Sequence, residues 1–420
     1  MGIGSYTTVA SICTIALYLG WRLRSRRVSR STLPPNMELW RTAGEDNANY
    51  KNPWTLLGPF FQDKDYTLHP WVGEESTDYK YRATCLPTST LGRHYPRHPN
   101  DTFHIMVLLQ TMVNVFISRS RCRSIHAGFQ NALLCPARHK KGFDVVIKTL
   151  CAGDGGKAQL RILRKLATTD AAMKPTNHVL TMFEEIHLDD IVFGVFPFLT
   201  TPLHPMFFCS SACSAADMLN LMLQMFEATV YIHDCLVAHQ DLFIDNFMCE
   251  YLPRSLADRH SMPPRVFLID FEAAVDFPPE SRPEDRLVSS HFFGDEFTRA
   301  RAPELREKDT PYNPFALDIW QLGYKMSMFS TKIEAVDSIV QEMIRDEPKS
   351  RPTAKDIFDR VMKIQRSIPP DQLDYKPIDF ELERGWCGDA SSLSGSELST
   401  AMPSARRYPR AEVGPSEFRD

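Results

Sequence analysis

Two short segments, His239-Gln240-Asp241-Leu242-Phe243-Ile244-Asp245-Asn246 and Val266-Phe267-Leu268-Ile269-Asp270-Phe271-Glu272, constrain this chain more than any other part of it. The second is an apolar run that breaks at a carboxylate, the pattern of a buried strand ending at a polar site. The first sets an Asp and an Asn five residues apart behind a His. A carboxylate in such a loop can take the proton of an attacking hydroxyl. The Asn oxygen and the strand-end Asp are hard ligands of the kind Mg²⁺ accepts beside phosphate groups. Asp270 follows Asp241 by 29 positions. In that order the segments read as the two halves of a phosphoryl-transfer site, and the fold must bring a strand end and a loop together.

Length and composition permit this. At 420 residues, 43% hydrophobic and 24% charged, the chain has room for two or three domains, or for one large two-lobed domain with extensions. A net charge of −4 gives no basis for expecting nucleic acid. The ten Cys are scattered, and Cys209 and Cys213 lack a second ligand pair at zinc-site spacing. They read as reduced thiols of an intracellular protein.

Along the chain, residues 3–21 carry no charge and five arginines follow between Arg22 and Arg30. This order fits an N-terminal membrane anchor with the remainder held in the cytoplasm, and 1–30 is assigned as the anchor candidate. Residues 31–100, rich in Trp, Tyr, Pro and His without periodicity, read as an irregular extension packed on the body by its aromatics. The run 104–117 is too short and too polar for a second span. Strands are expected over Gln130–Pro136, Phe143–Leu150, His178–Ile186 and Ile191–Phe196, with a helix over Ala158–Ala167 between the second and third. Pro197 begins the break to a helical half that opens with Ser214–Ile232, whose Met-rich stripe reads as core. Beyond Gln365 the sequence turns to Pro, Ser, Gly and charge, so 367–420 reads as a largely disordered tail.

Further motifs fall in register over roughly 200 residues: Val145-Val146-Ile147-Lys148, Arg301-Ala302-Pro303-Glu304, Asp318-Ile319-Trp320-Gln321-Leu322-Gly323 and Arg351-Pro352-Thr353. Together with the two opening segments they resemble the eukaryotic protein kinase family over residues 101–366. In detail they are similar to the divergent kinase-like proteins of mushroom-forming fungi. The resemblance implies an α+β, two-lobed fold, with a β-rich N-lobe over 101–197, a helical C-lobe over 198–366 and ATP between them. It implies catalysis by Asp241 and Lys148, Mg²⁺ on Asn246 and Asp270, and nucleotide contacts from Lys148, Gly128, Gln159, Val195 and Phe196. It also implies an ion pair between Glu304 and Arg351. The activity implied is transfer of the ATP γ-phosphoryl group to protein hydroxyls, Ser or Thr favoured over Tyr.

Several positions depart from the family pattern. Ala127-Gly128-Phe129-Gln130 keeps one glycine of a phosphate-cradling loop. Gln159 stands where a helix Glu would pair with Lys148, Gln240 where an Arg would receive a phosphorylated segment, and Phe243 where a Lys would meet the transferred phosphate. Glu272 replaces a glycine after Asp270-Phe271. Two other functions fit the same residues: a pseudokinase that binds or scaffolds, and a small-molecule phosphotransferase of the aminoglycoside- or choline-kinase type. The latter type lacks the motifs at 301–304, 318–323 and 351–353.

Overall fold

The computed structural model describes residues 28–42, 53–68, 132–199, 201–203, 214–250, 265–289, 299–306 and 310–375. In chain order its main elements are α1 (Met37–Arg41), α2 (Pro53–Gln62), β1 (Tyr66–Leu68), β2 (Leu134–His139), β3 (Asp144–Ala152), α3 (Lys157–Leu166), β4 (Glu184–Leu188), β5 (Ile191–Pro197) and β6 (Thr201–Pro202). There follow α4 (Ala215–Asp234), β7 (Val237–Ala238), β8 (Phe247–Glu250), β9 (Arg265–Leu268), β10 (Val275–Asp276), α5 (Pro314–Met326), α6 (Glu334–Met343) and α7 (Ala354–Ser367). The class is mixed α+β, an antiparallel sheet followed by helices.

The sheet runs β1-β2-β3-β5-β4, with every neighbouring pair antiparallel. Alternation along β3 sorts its side chains between two cores. Val145 and Ile147 enter a cluster with Trp40, Trp54, Leu57, Phe61 and Phe193. Leu150 enters the larger cluster shared with α3 and the helices that follow. Lys148 has the parity of Leu150, which directs its amine away from the aromatic cluster. Glycine is required where β3 turns into α3: Gly156 has φ +84°, and a Cβ there would lie 1.9 Å from the Leu150 carbonyl oxygen.

The extension expected to be irregular over 31–100 is ordered where it is described. α1 and α2 cover the outer face of the sheet and β1 lengthens it beside β2. The aromatics explain this. Phe61 and Phe193 rings lie 5.1 Å apart and Trp54 and Phe193 5.7 Å, while Trp54 Nε1 donates to the Ala132 carbonyl at 2.7 Å. Burial of each such side chain contributes roughly 1.5–3 kcal/mol, which holds short elements that have no amphipathic period of their own. The sheet therefore begins at Tyr66, before the expected boundary at 101.

Two strand expectations also shift. β2 starts at Leu134 and passes through Pro136; among the described residues β1 pairs with 137–139 and does not reach the proline, which has no N–H to give a neighbouring strand. Residues 178–182 are not part of β4. Leu268 N donates to the His178 carbonyl at 2.7 Å and Leu180 N to the Leu268 carbonyl at 3.0 Å, a short parallel bridge that draws this segment to β9. The bridge ties this segment to the strand that ends at Leu268, two residues before Asp270.

In the helical half, Ser214 caps α4 through a reciprocal bond with Asp217, and Thr353 caps α7 through Asp356. Gly323 brings α5 against α6, since a Cβ there would meet Met343 Cβ at 2.6 Å. The tail assigned from 367 is ordered through Tyr375, whose hydroxyl donates to the Thr331 carbonyl at 2.9 Å. The anchor candidate at 3–21, the 104–117 run and 376–420 lie outside the described residues. Among the described residues no helix is long and apolar enough to cross a membrane.

Arg351 and Glu304 form the expected buried pair, joined by two bonds of 2.6 and 2.8 Å with the side chains 1% and 8% exposed. Arg351 also donates to the carbonyls of Arg345 and Ala316. Arg351→Ala strands Glu304 in a dry site and is expected to lower unfolding free energy by about 3–5 kcal/mol, read from the urea midpoint. A midpoint equal to that of the parent would show that Glu304 gains no stability from this pairing.

Candidate active site

The loop after β7 is held by α5. Asp318 is fully buried and accepts from His239 N at 2.8 Å, from Gln240 N at 2.7 Å and from His233 Nε2 at 2.9 Å. One turn along α5, Gln321 accepts from Leu242 N at 2.8 Å and donates to the Gln240 carbonyl at 2.8 Å. These bonds fix Gln240 at φ +61°, a conformation that few side-chain-bearing residues adopt. Gln240 itself is a buried connector: its amide donates to the Ala273 carbonyl at 2.7 Å and accepts from the Tyr312 hydroxyl at 2.6 Å. Burial first, then the charges of Asp318 and Glu304, push the Tyr312 hydroxyl far above its ordinary pKa, so it stays a donor.

The loop presents Asp241 and Asn246 together. Asn246 Nδ2 donates to the Asp241 carbonyl at 2.7 Å and to Asp241 Oδ2 at 2.8 Å. Asp241 Oδ1 makes no hydrogen bond among the described residues, and the nearest cation to it there is Arg299, with Nε 3.3 Å away. Arg299 also donates from Nη1 to Asp245 Oδ2 at 3.2 Å and lies 5.1 Å over the Phe243 ring. Burial raises the Asp241 carboxyl above the usual range, and nearby Asp270 adds to this; Arg299, His239 and Asn246 pull the other way.

β9 delivers Asp270 to the same place. Ile269 N donates to the Asn246 carbonyl at 2.9 Å, and His239 Nε2 donates to the Ile269 carbonyl at 2.9 Å. Asp270 takes φ +65° and pairs with Lys148 Nζ at 2.7 Å. Desolvation works to raise the Asp270 carboxyl, but the Lys148 charge and hydrogen bond outweigh it and hold the group below its ordinary value. Two carboxylates in one site are thus pushed in opposite directions, one toward holding a proton and one toward staying ionised. Phe271 is buried, its ring 4.9 Å from that of His239. Glu272 pairs with Arg41 of α1, a partner that sequence reasoning did not foresee.

The remaining expected residues separate. Gln159 is buried in α3, and its Oε1 has no hydrogen-bond partner among the described residues. The expected Gln159 support for Lys148 is therefore not formed, since the amine is committed to Asp270. Val195 and Phe196 lie opposite Ile147 and Val146 with buried side chains, Val195 in the aromatic cluster and Phe196 in the larger core. The Val195 carbonyl already accepts from Phe183 N at 2.8 Å. Gly128 lies outside the described residues.

The donor set fits Mg²⁺. Asn246 spends its amide nitrogen on Asp241, and its Oδ1 accepts no hydrogen bond among the described residues. The Asp270 carboxylate is ionised and 37% exposed. Among the described residues no group of three or more His, Cys, Asp or Glu could hold a metal alone. An amide oxygen and one carboxylate suit an ion that completes its shell with phosphate and water. No family model matches the chain, and no curated protein matches it in sequence.

Asp318→Ala removes the acceptor of two buried backbone N–H groups, each worth about 1–3 kcal/mol when left unsatisfied. The expected loss is about 2–6 kcal/mol in urea unfolding, with faster amide exchange at His239 and Gln240. Unchanged exchange at both amides would mean that the loop holds its shape without Asp318.

Proposed function

We propose that the chain is an ATP-dependent protein kinase, with the two-lobed arrangement of that family and nucleotide between the sheet and the helical half. The observation that carries this is the convergence of Lys148, Asp241, Asn246 and Asp270 from three separate elements, with the bonds among them given above. In this reading 101–197 is the N-lobe, lengthened by β1, and 198–366 the C-lobe. Gly128 and the backbone near Val195 and Phe196 would border the nucleotide.

Asp241 takes the proton of the acceptor hydroxyl through Oδ1, the oxygen not used by Asn246, and burial raises its carboxyl above the usual range. Lys148 contacts the α- and β-phosphates while holding Asp270 ionised. Asn246 Oδ1 and Asp270 would hold Mg²⁺, which would supply charge neutralisation for the phosphates. Asp318 and Gln321 keep the loop in position, so most of the rate arises from placement.

A second function, a nucleotide-binding scaffold, is favoured by one observation: Gln159, which stands where the family pattern has a Glu for Lys148, is neutral and makes no bond to it. Asp270→Ala should weaken Mg·ATP binding, seen as loss of a thermal shift that at 100 times the dissociation constant is worth about 2.7 kcal/mol. Asp241→Ala should keep that shift and lose about 10²–10⁴-fold in transfer to protein acceptors. A parent protein with the shift and no transfer would be the scaffold. Phosphorylation of an aminoglycoside or choline-like alcohol alone would make it a small-molecule phosphotransferase, and no shift at all overturns each of these.

The uncharged run 3–21 before the arginine cluster is proposed to hold the protein at a membrane with its body in the cytoplasm. The full chain should pellet with membranes, and a chain lacking residues 2–27 should not. Equal partition of the two would remove the anchor.

A further inference from the structure

Phosphoryl transfer spreads negative charge over the equatorial oxygens of the moving group, and a cation aimed at them lowers the barrier. Lys148 is on the Asp270 side of the site and is already paired there. On the acceptor side, the loop between His239 and Asn246 supplies two carboxylates, Asp241 and Asp245, and no Lys or Arg. The cation found there comes from elsewhere in the chain. Arg299 reaches Asp241 Oδ1 with Nε, Asp245 Oδ2 with Nη1 and the face of Phe243 with its planar carbon. Three contacts on three sides fix the plane of the guanidinium, and Nη2 donates no hydrogen bond among the described residues. The side chain is 32% exposed, open on one flank and held on the other.

We propose that Arg299 is a catalytic residue that stabilises the phosphoryl group during transfer, its Nη2 donating to an equatorial oxygen while Asp241 receives the acceptor proton. This rests on the phosphotransfer function proposed above. In the step, an oxygen lone pair of the acceptor hydroxyl forms a bond to the γ-phosphorus of the nucleoside triphosphate. The bond from that phosphorus to the β-bridging oxygen breaks, and its electron pair leaves on the diphosphate. The acceptor proton passes to Asp241 Oδ1. Arg299 contributes no electrons and no proton: it acts through charge, and the Phe243 ring and Asp245 keep it in plane.

The test compares the full-length parent with Arg299→Gln and Arg299→Lys, reading binding as well as turnover. Calorimetry would measure Mg·ADP alone and Mg·ADP with aluminium fluoride, a mimic of the group in transit. Arg299→Gln should bind Mg·ADP as the parent does, and should bind the fluoride complex at least tenfold more weakly, with kcat falling by 10²-fold or more. Arg299→Lys should recover part of both losses. Equal affinity of parent and Arg299→Gln for the fluoride complex overturns the inference and leaves the kinase function standing. A parent that neither binds Mg·ADP nor transfers phosphate removes both. A parallel loss of Mg·ADP affinity and melting temperature in Arg299→Gln, with no recovery by Arg299→Lys, would make Arg299 a structural residue and also overturns it.

Discussion

A buried carboxylate on α5 is the constraint from which the rest of the site follows. Asp318 has no exposed surface, and its two oxygens accept three bonds, two of them from consecutive backbone amides of the loop after β7. A carboxylate taken out of water is unfavourable unless donors replace its hydration. Here the donors are the loop itself, so loop and helix each satisfy a need of the other. The geometry forces Gln240 to φ +61°, a conformation worth of order 1–3 kcal/mol in strain for a residue of this type. Gln321, Tyr312 and the Ala273 carbonyl distribute that strain over three further bonds. Only with Gln240 turned in this way do Asp241 and Asn246 face one another, and only then does the Asn246 carbonyl receive Ile269 N and set the end of β9.

The same arrangement lets two carboxylates share a small space. Asp270 stays ionised because Lys148 lies 2.7 Å away, and Asp241 carries the full consequence of burial because its compensation is looser, a guanidinium at 3.3 Å and an amide. Proximity of an ionised Asp270 adds to the rise at Asp241. The pair is therefore asymmetric through its partners, since the two residue types are the same. In the function proposed above, the ionised member is the one that would hold the metal and the raised one that would receive the proton.

Much of this was legible from residue types and spacing. The strand carrying Lys148, the helix that opens at Ser214 and the Glu304–Arg351 pair each depend on contacts that a local pattern or a motif encodes. The parts that were not legible share a physical cause: their partners lie far away in sequence and leave no periodic trace. α1, α2 and β1 are short and aromatic, and are held by Phe193 and Ala132 of a later segment. Residues 178–182 have strand composition but touch β9 through one parallel bridge, Val179 to Leu268. Gln240 was read as a lost charge, whereas its function in the fold is neutral and requires both ends of an amide. Arg299 belongs to no motif, and its value comes from Asp241, Phe243 and Asp245.

Lys148 joins the sheet directly to the end of β9 and leaves α3 out of that link. Gln159 faces inward without a partner for its Oε1, so α3 must be positioned by other contacts. Its apolar face supplies most of them, through Leu160, Ile162, Leu163 and Leu166. Direction comes from two arginines on the opposite face, Arg161 to Asp276 of β10 and Arg164 to Glu185 of β4. Both arginines are more than half exposed, so each pair contributes only about 0–1 kcal/mol. The N-terminal arm is linked to the same region by charge: Arg41 of α1 pairs with Glu272 two residues beyond Asp270, while Arg30 pairs with Asp190 at the β4–β5 turn. Arm, sheet and the segment after Asp270 are thus joined by charges at both ends of one short stretch, whereas Asp270 itself is held by Lys148.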